Sequence, residues 1–156
     1  MLILDVLFNG LHMGDVALLL NRVAVGAFFA ISGYHKLFNA KRHASFVETL
    51  KECGVPCIAF NQWFVPIVEF LGGLAVTTGF LAPLAALGMF FIMVVAICTD
   101  GITRILPGFQ PIDAADYLDD VLYLPETSFA VMLLVVMLMG PGHYSLHVLA
   151  MHILGL

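Results

Sequence analysis

Residues 81–99, LAPLAALGMFFIMVVAICT, carry no charge from end to end, and their reading decides the fold class. A hydrocarbon core about 30 Å thick needs about 20 helical residues at about 1.5 Å of rise each. This run meets that length. Pro83 suits the first turn of such a helix, where a missing N–H costs nothing. Working outward, three further apolar runs read as spans, giving segments at about 16–34, 61–80, 81–99 and 126–142. The second and third are joined only by Gly79–Pro83, which makes them a tight antiparallel hairpin. The apolar part of the fourth, Glu126–Gly140, rises only about 22 Å. It needs turns from Leu122–Leu124 or from the residues after Gly140.

Composition agrees. With 62% hydrophobic and 11% charged residues and a mean hydropathy of +1.03, the chain has too little polar surface for an ordinary soluble domain. A length of 156 residues suits one domain, 1–156. The expectation is an all-α polytopic membrane protein, a four-helix bundle with amphipathic interfacial segments and the lipid bilayer as its first partner. Six Lys+Arg and a formal charge of −5 argue against nucleic acid, which needs a basic face. Met1–Gly14 has no Lys or Arg and no small-residue cleavage site, so insertion by the chain's own spans is expected over a cleaved signal peptide.

The longer connections carry their own patterns. Ala40–Glu52 reads as an amphipathic helix with Phe46, Val47, Leu50 and Cys53 on one face, Gly54 as its C-terminal cap and Pro56 beyond. Tyr144–Leu156 reads as a short interfacial helix after the Gly140-Pro141-Gly142 break. Contacts between spans are expected through small residues, because lipid gives helices little hydrophobic drive to associate. Gly26, Ala30 and Gly33 on span one and Gly72, Gly73, Ala75 and Gly79 on span two are the candidates.

Arg22 and Glu69 are the only full charges inside the first two apolar runs. A charge in hydrocarbon persists where it faces the bundle interior and meets a partner. By helix rise, Arg22 lies about 10 Å and Glu69 about 16 Å from the same end of the bundle. They are read as an intramembrane polar centre: a direct or water-bridged ion pair, or a site for a quinone head group, an anionic substrate or a proton. Against a direct bond, side chains lean toward their helix N-terminus, which draws these two apart in antiparallel spans.

Other residues are weaker leads. Cys53 and Cys57, separated by Gly-Val-Pro, match neither a redox pair nor half a zinc site, and buried free thiols are expected. Cys98 reads as packing. His143 and His147 share a face if a helix begins right after Gly142, but no further ligand is in register, so no metal site is expected. His35, Lys36, Tyr144, His143 and His147 read as ligand or interface residues. Asp113, Asp116, Asp119 and Asp120 form an acidic patch, with Asp113, Asp116 and Asp120 on one face if helical. It reads as solvated surface, with docking for a basic partner or a weak divalent-cation site as the alternatives. Lys36, Lys41, Arg42, Lys51 and Arg104 fall in loops one and three, which places those loops in the cytoplasm.

An ordered set of motifs runs along the chain: Asn21-Arg22 with Gly26, Ser32-Gly33-Tyr34-His35-Lys36-Leu37, Gly54-Val55-Pro56, Glu69 with Gly72-Gly73 and Gly79, Leu122-Tyr123-Leu124, and Gly140-Pro141-Gly142-His143-Tyr144-Ser145-Leu146. In order and spacing this set resembles the DoxX family of small four-helix prokaryotic membrane proteins. Residues 16 to 148 share that resemblance. It implies an integral component of a redox assembly in the plasma (inner) membrane, linked to a quinone, with a soluble or membrane redox protein as partner and a homo-oligomer as a further option. The residues themselves show no electron-carrying motif: no haem-attachment, iron–sulfur or dinucleotide pattern. Two alternatives stand beside it: a non-catalytic anchor for a soluble oxidoreductase, and a small-molecule or ion carrier.

Overall fold

The computed structural model describes residues 13–101 and 114–154. Seven helices follow in order: α1 (Gly14–Phe38), α2 (Ala40–Glu52), α3 (Ile58–Thr78), α4 (Ala82–Ala96), α5 (Ala114–Tyr123), α6 (Pro125–Met139) and α7 (Leu146–Leu154). α4 runs on into a π-helical turn, Ile97–Gly101. The described residues contain no strand.

α1, α3 and α4 with its π-turn are each long and apolar enough to cross a membrane. α6, with 15 residues, is shorter. It still runs the length of the bundle through its flanks. Leu124 lies against Gly101 at one end, and at the other the Tyr144 carbonyl accepts a bond from Arg22. Between them Asn21 Nδ2 donates to the Met132 carbonyl at 3.0 Å, a polar tie from α1 to α6. The expected span to residue 142 is therefore corrected. The helix ends at Met139, Gly140 caps it at φ 76°, and the chain turns back over the bundle. Leu122–Leu124 do not lengthen it either. The Pro125 ring disfavours a helical residue before it, so Leu124 is extended (φ −64°, ψ 129°) and α5 is a separate helix.

α1 packs on α3, α3 on α4, α4 on α6 and α6 back on α1, which closes a four-helix ring. Its core is Val25, Phe29, Val76, Ala82, Ala86, Met89, Met93, Ala130, Leu133 and Val136. Leu20, Ile31, Leu71, Leu84, Phe91 and Leu138 stay exposed on the outside, the faces that lipid covers.

Glycines set the register of α1 against α3. A Cβ on Gly33 would stand 2.5 Å from Phe70 N and 2.7 Å from Pro66 O, and one on Gly26 would stand 2.7 Å from Gly73 O. Backbones this close fix which residues are level. Gly33 faces Pro66–Phe70, Gly26 faces Gly73–Thr77, and Gly79 lies on the Arg22 guanidinium.

α2 matches its expected bounds. The Asn39 side chain accepts from Lys41 N and Arg42 N at 3.1 and 3.3 Å, capping the start. At the end Val55 N–H reaches Leu50 O and Gly54 N–H reaches Lys51 O, with Gly54 at φ 64°. That pair of bonds is a Schellman cap, and it needs the left-handed residue glycine supplies.

Candidate ligand cavity and buried ion pair

Glu69 is 3% exposed and does not meet Arg22. Its two carboxylate oxygens accept from Lys36 Nζ at 2.8 and 2.7 Å, and Oε2 also accepts from Ser32 Oγ at 3.3 Å. Ser32 and Lys36 stand four apart on α1, so one helix face presents both donors. The Lys36 ammonium also lies 4.8 Å from the Phe46 ring centroid, over its face, which binds α2 to the pair.

The expected Arg22–Glu69 pair is corrected by the register. With Glu69 level with Ser32 on α1, it stands ten residues, about 15 Å, along the helix from Arg22. Helix rise counted from the span ends gives only about 6 Å, because it does not include the slide of α3 along α1. Arg22 is 1% exposed and sits at the other end of the bundle, where Nη2 donates to Tyr144 O at 2.6 Å. Lys36, a ligand or interface residue by sequence, is the partner of Glu69. α1 continues to Phe38 with no breaker before Asn39, and this carries Lys36 onto the inner face.

The pair lines a cavity of about 660 Å³ among α1, α2, α3, α4 and α6. Its wall is mostly apolar, with Phe28, Phe46, Phe64, Phe91 and Phe129 among the lining rings. Phe28, Phe64 and Phe91 are also 46, 45 and 60% exposed, so the cavity opens sideways between helices toward the lipid. The polar groups of the lining are Ser32, Lys36 and Glu69, together with Thr49, Cys53, Asn61, Thr99, Asp100 and Glu126. Cys53 Sγ lies 3.8 Å from Asp100 Oδ1. Two local features shape the wall. The π-turn turns Thr99 and Asp100 onto it, and such turns recur at functional sites. Pro66 inside α3 has no N–H for the Gln62 carbonyl, which interrupts the helix ladder beside the cavity.

Asp100, Ser32 and Glu126 are not singled out as site residues by the sequence. The signal for Asp100 was a carboxylate closing an otherwise uncharged run. Their convergence depends on three helices meeting, which no local pattern reports.

The remaining candidates disperse. His35 is exposed on α1. His143 is exposed, and α7 begins only at Leu146, so the helical register that would align His143 with His147 is not formed. Among the described residues no group of His, Cys, Asp or Glu is arranged to hold a metal. Tyr144 is used through its backbone carbonyl, with its ring exposed. Asp116, Asp119 and Asp120 lie exposed on α5, and Asp113 falls outside the described residues.

All three cysteines are free, yet Cys57 and Cys98 are exposed where burial or packing was expected. Cys57 holds a left-handed backbone (φ 52°) as the residue before α3, which turns its side chain away from the bundle. Replacing Cys53 and Cys57 together by serine is expected to leave insertion and yield within about twofold of wild type. A larger loss on gel filtration, absent in Cys98→Ser, would show that the two thiols do structural work.

A ring of apolar helices with one buried ion pair beside a side-opening cavity defines a polytopic α-helical membrane protein. The DoxX family model matches residues 17–102, more than half of the chain, and the chain belongs to the DoxX family. That stretch runs from α1 through the π-turn and includes Arg22, Lys36 and Glu69. No curated protein and no solved structure matches the sequence.

Proposed function

We propose that this protein is an integral component of a prokaryotic plasma-membrane redox assembly, and that its cavity receives the head group of a membrane quinone. The observation that carries the reading is the cavity itself. Its volume of about 660 Å³ falls in the range of small-molecule sites, and its rim of aromatic rings faces lipid. A quinone arrives from the bilayer, needs an apolar slot for its ring, and presents two carbonyl oxygens that accept hydrogen bonds. Lys36 and Ser32 are donors placed in that wall.

Conversion of a quinone to the quinol takes two electrons and two protons. The described residues offer groups that hold protons and no motif that carries electrons, so the electrons come from a partner redox protein. The exposed acidic face of α5 (Asp116, Asp119, Asp120) is a docking surface for a partner with basic groups. Family membership supports the membrane setting of this reading.

The test is purification in mild detergent followed by organic extraction and mass spectrometry. Quinone is expected at a ratio approaching one per chain, and a Phe28→Ala/Phe129→Ala variant, which strips ring surface from the cavity, is expected to lose at least tenfold of it. Wild-type protein that neither retains quinone nor takes it up when added back would overturn the proposal. A soluble oxidoreductase co-purifying without quinone would favour an anchoring role instead.

A further inference from the structure

Arg22 is the one fully buried cation among the described residues that no carboxylate meets. Nη2 donates to the Tyr144 carbonyl at 2.6 Å, while Nε and Nη1 are buried without an acceptor. A guanidinium has five N–H donors, so at least three are unused in a place where each unmade bond is costly. Among the described residues no carboxylate bonds to it. Asp15 Oδ1, the nearest on the same helix, lies beside Gly142 and makes no bond to Arg22.

What seals Arg22 is a short strap, Gly140–Ser145. Gly140 and Gly142 both hold left-handed backbone, φ 76° and 67°, and flank Pro141. The strap rests on Leu18 through Gly142 and on Gly79 through Ser145. Beyond it α7 starts, with Ser145 Oγ accepting from Val148 N at 3.3 Å as its cap. The N-terminal end of a helix carries partial positive charge. The carbonyl that Arg22 meets, Tyr144 O, lies two residues before the start of α7, so the guanidinium and the positive end of the helix border the same strap. On the side of the strap away from Arg22, which does not line it, Tyr144 and Ser145 border a recess of about 540 Å³ with Thr78, His143, Leu149 and His152.

We propose that Arg22 and the α7 N-terminus form a binding site for a phosphate oxyanion, covered in this structure by the Gly140–Ser145 strap. When the strap lifts, the Tyr144 carbonyl leaves Nη2 and phosphate oxygens replace it. They also serve the unused N–H groups in charge-assisted bonds that are shorter and stronger than one to a neutral carbonyl. His143 stands at the rim as a further donor. The site lies at the end of the bundle opposite the quinone cavity and does not depend on that reading. The phosphate comes either from an anionic lipid at the interface, with Leu149 and Val148 of α7 beside its chains, or from solution.

Phenylglyoxal labelling of wild-type protein, read by mass spectrometry at Arg22 with Arg42 as exposed internal reference, tests this. In detergent without phosphate, Arg22 is expected to react more slowly than Arg42 but measurably. Saturating inorganic phosphate at constant ionic strength, or nanodiscs of phosphatidylglycerol compared with phosphatidylcholine, is expected to slow Arg22 about tenfold and leave Arg42 unchanged. Protection by inorganic phosphate identifies a free anion; protection by phosphatidylglycerol alone identifies a lipid. No reaction at Arg22 in phosphate-free detergent shows a strap that stays shut and overturns the proposal. Equal rates with and without both phosphate sources, or matching slowing of Arg42, overturn it as well.

Discussion

Lys36→Leu is expected to destabilise the protein more than Glu69→Leu, and the double variant is expected to recover part of both losses. Glu69 is 3% exposed and deep in the bundle, so removing Lys36 leaves its carboxylate with the Ser32 hydroxyl. Lys36 has a side chain 23% exposed near the end of α1, so without Glu69 it has a route to the interface. Breaking a buried pair costs about 3–5 kcal/mol in soluble proteins. In a bilayer, water defects and snorkelling relieve part of that. A coupling of about 1–3 kcal/mol is expected for Lys36 with Glu69, measured as a double-mutant cycle of unfolding midpoints in detergent. The same cycle on Arg22 and Glu69 should close to within about 0.5 kcal/mol, because the two charges sit some ten residues apart in register and share no partner. Coupling in the second cycle and additivity in the first would mean that α1 and α3 pack in a different register.

That contrast shows where the sequence was legible. Apolar runs, Pro83, Gly54 and Gly79 are local signals, and they placed α1 to α4 and the amphipathic α2 within a few residues. A buried charge in each of the first two runs was equally readable, because hydrocarbon tolerates a charge only under special conditions. Which charge met which depended on a quantity that local patterns do not carry, the slide of one helix along another. Close contact between glycine backbones sets that slide, and it would take a shift of about three turns, the ten residues from Ser32 to Arg22, to bring Arg22 level with Glu69. The strap over Arg22 was hidden for a related reason. Gly140-Pro141-Gly142 announces a break, but nothing in it says that the chain folds back onto span one. The cavity was hidden more deeply still, since its walls come from five helices.

Gly73→Ala is expected to cost about 3 kcal/mol or more, at or above the top of the usual range for overpacking. An added methyl group there would meet the Ala30 backbone nitrogen, Gly26 O at 2.6 Å and Ala30 Cα at 2.9 Å. All three are backbone atoms of α1, and none can rotate aside, so the helices must part. Parting them also draws Ser32 and Lys36 away from Glu69, and the ion pair weakens with the packing. Two glycines of the same bundle serve as controls. At Gly72 the new methyl meets the flexible Met89 side chain at 3.1 Å, and at Gly88 it meets Val68 Cγ1 at 3.8 Å, an ordinary contact. Gly88→Ala should therefore be neutral or stabilise by up to about 1 kcal/mol, because alanine orders a helix interior more readily than glycine. Gly72→Ala should fall between them. Thermal unfolding of the three variants in one detergent decides the matter. If Gly73→Ala unfolds no earlier than Gly88→Ala, the α1–α3 backbones are not in contact, and the register that pairs Glu69 with Lys36 loses its physical cause.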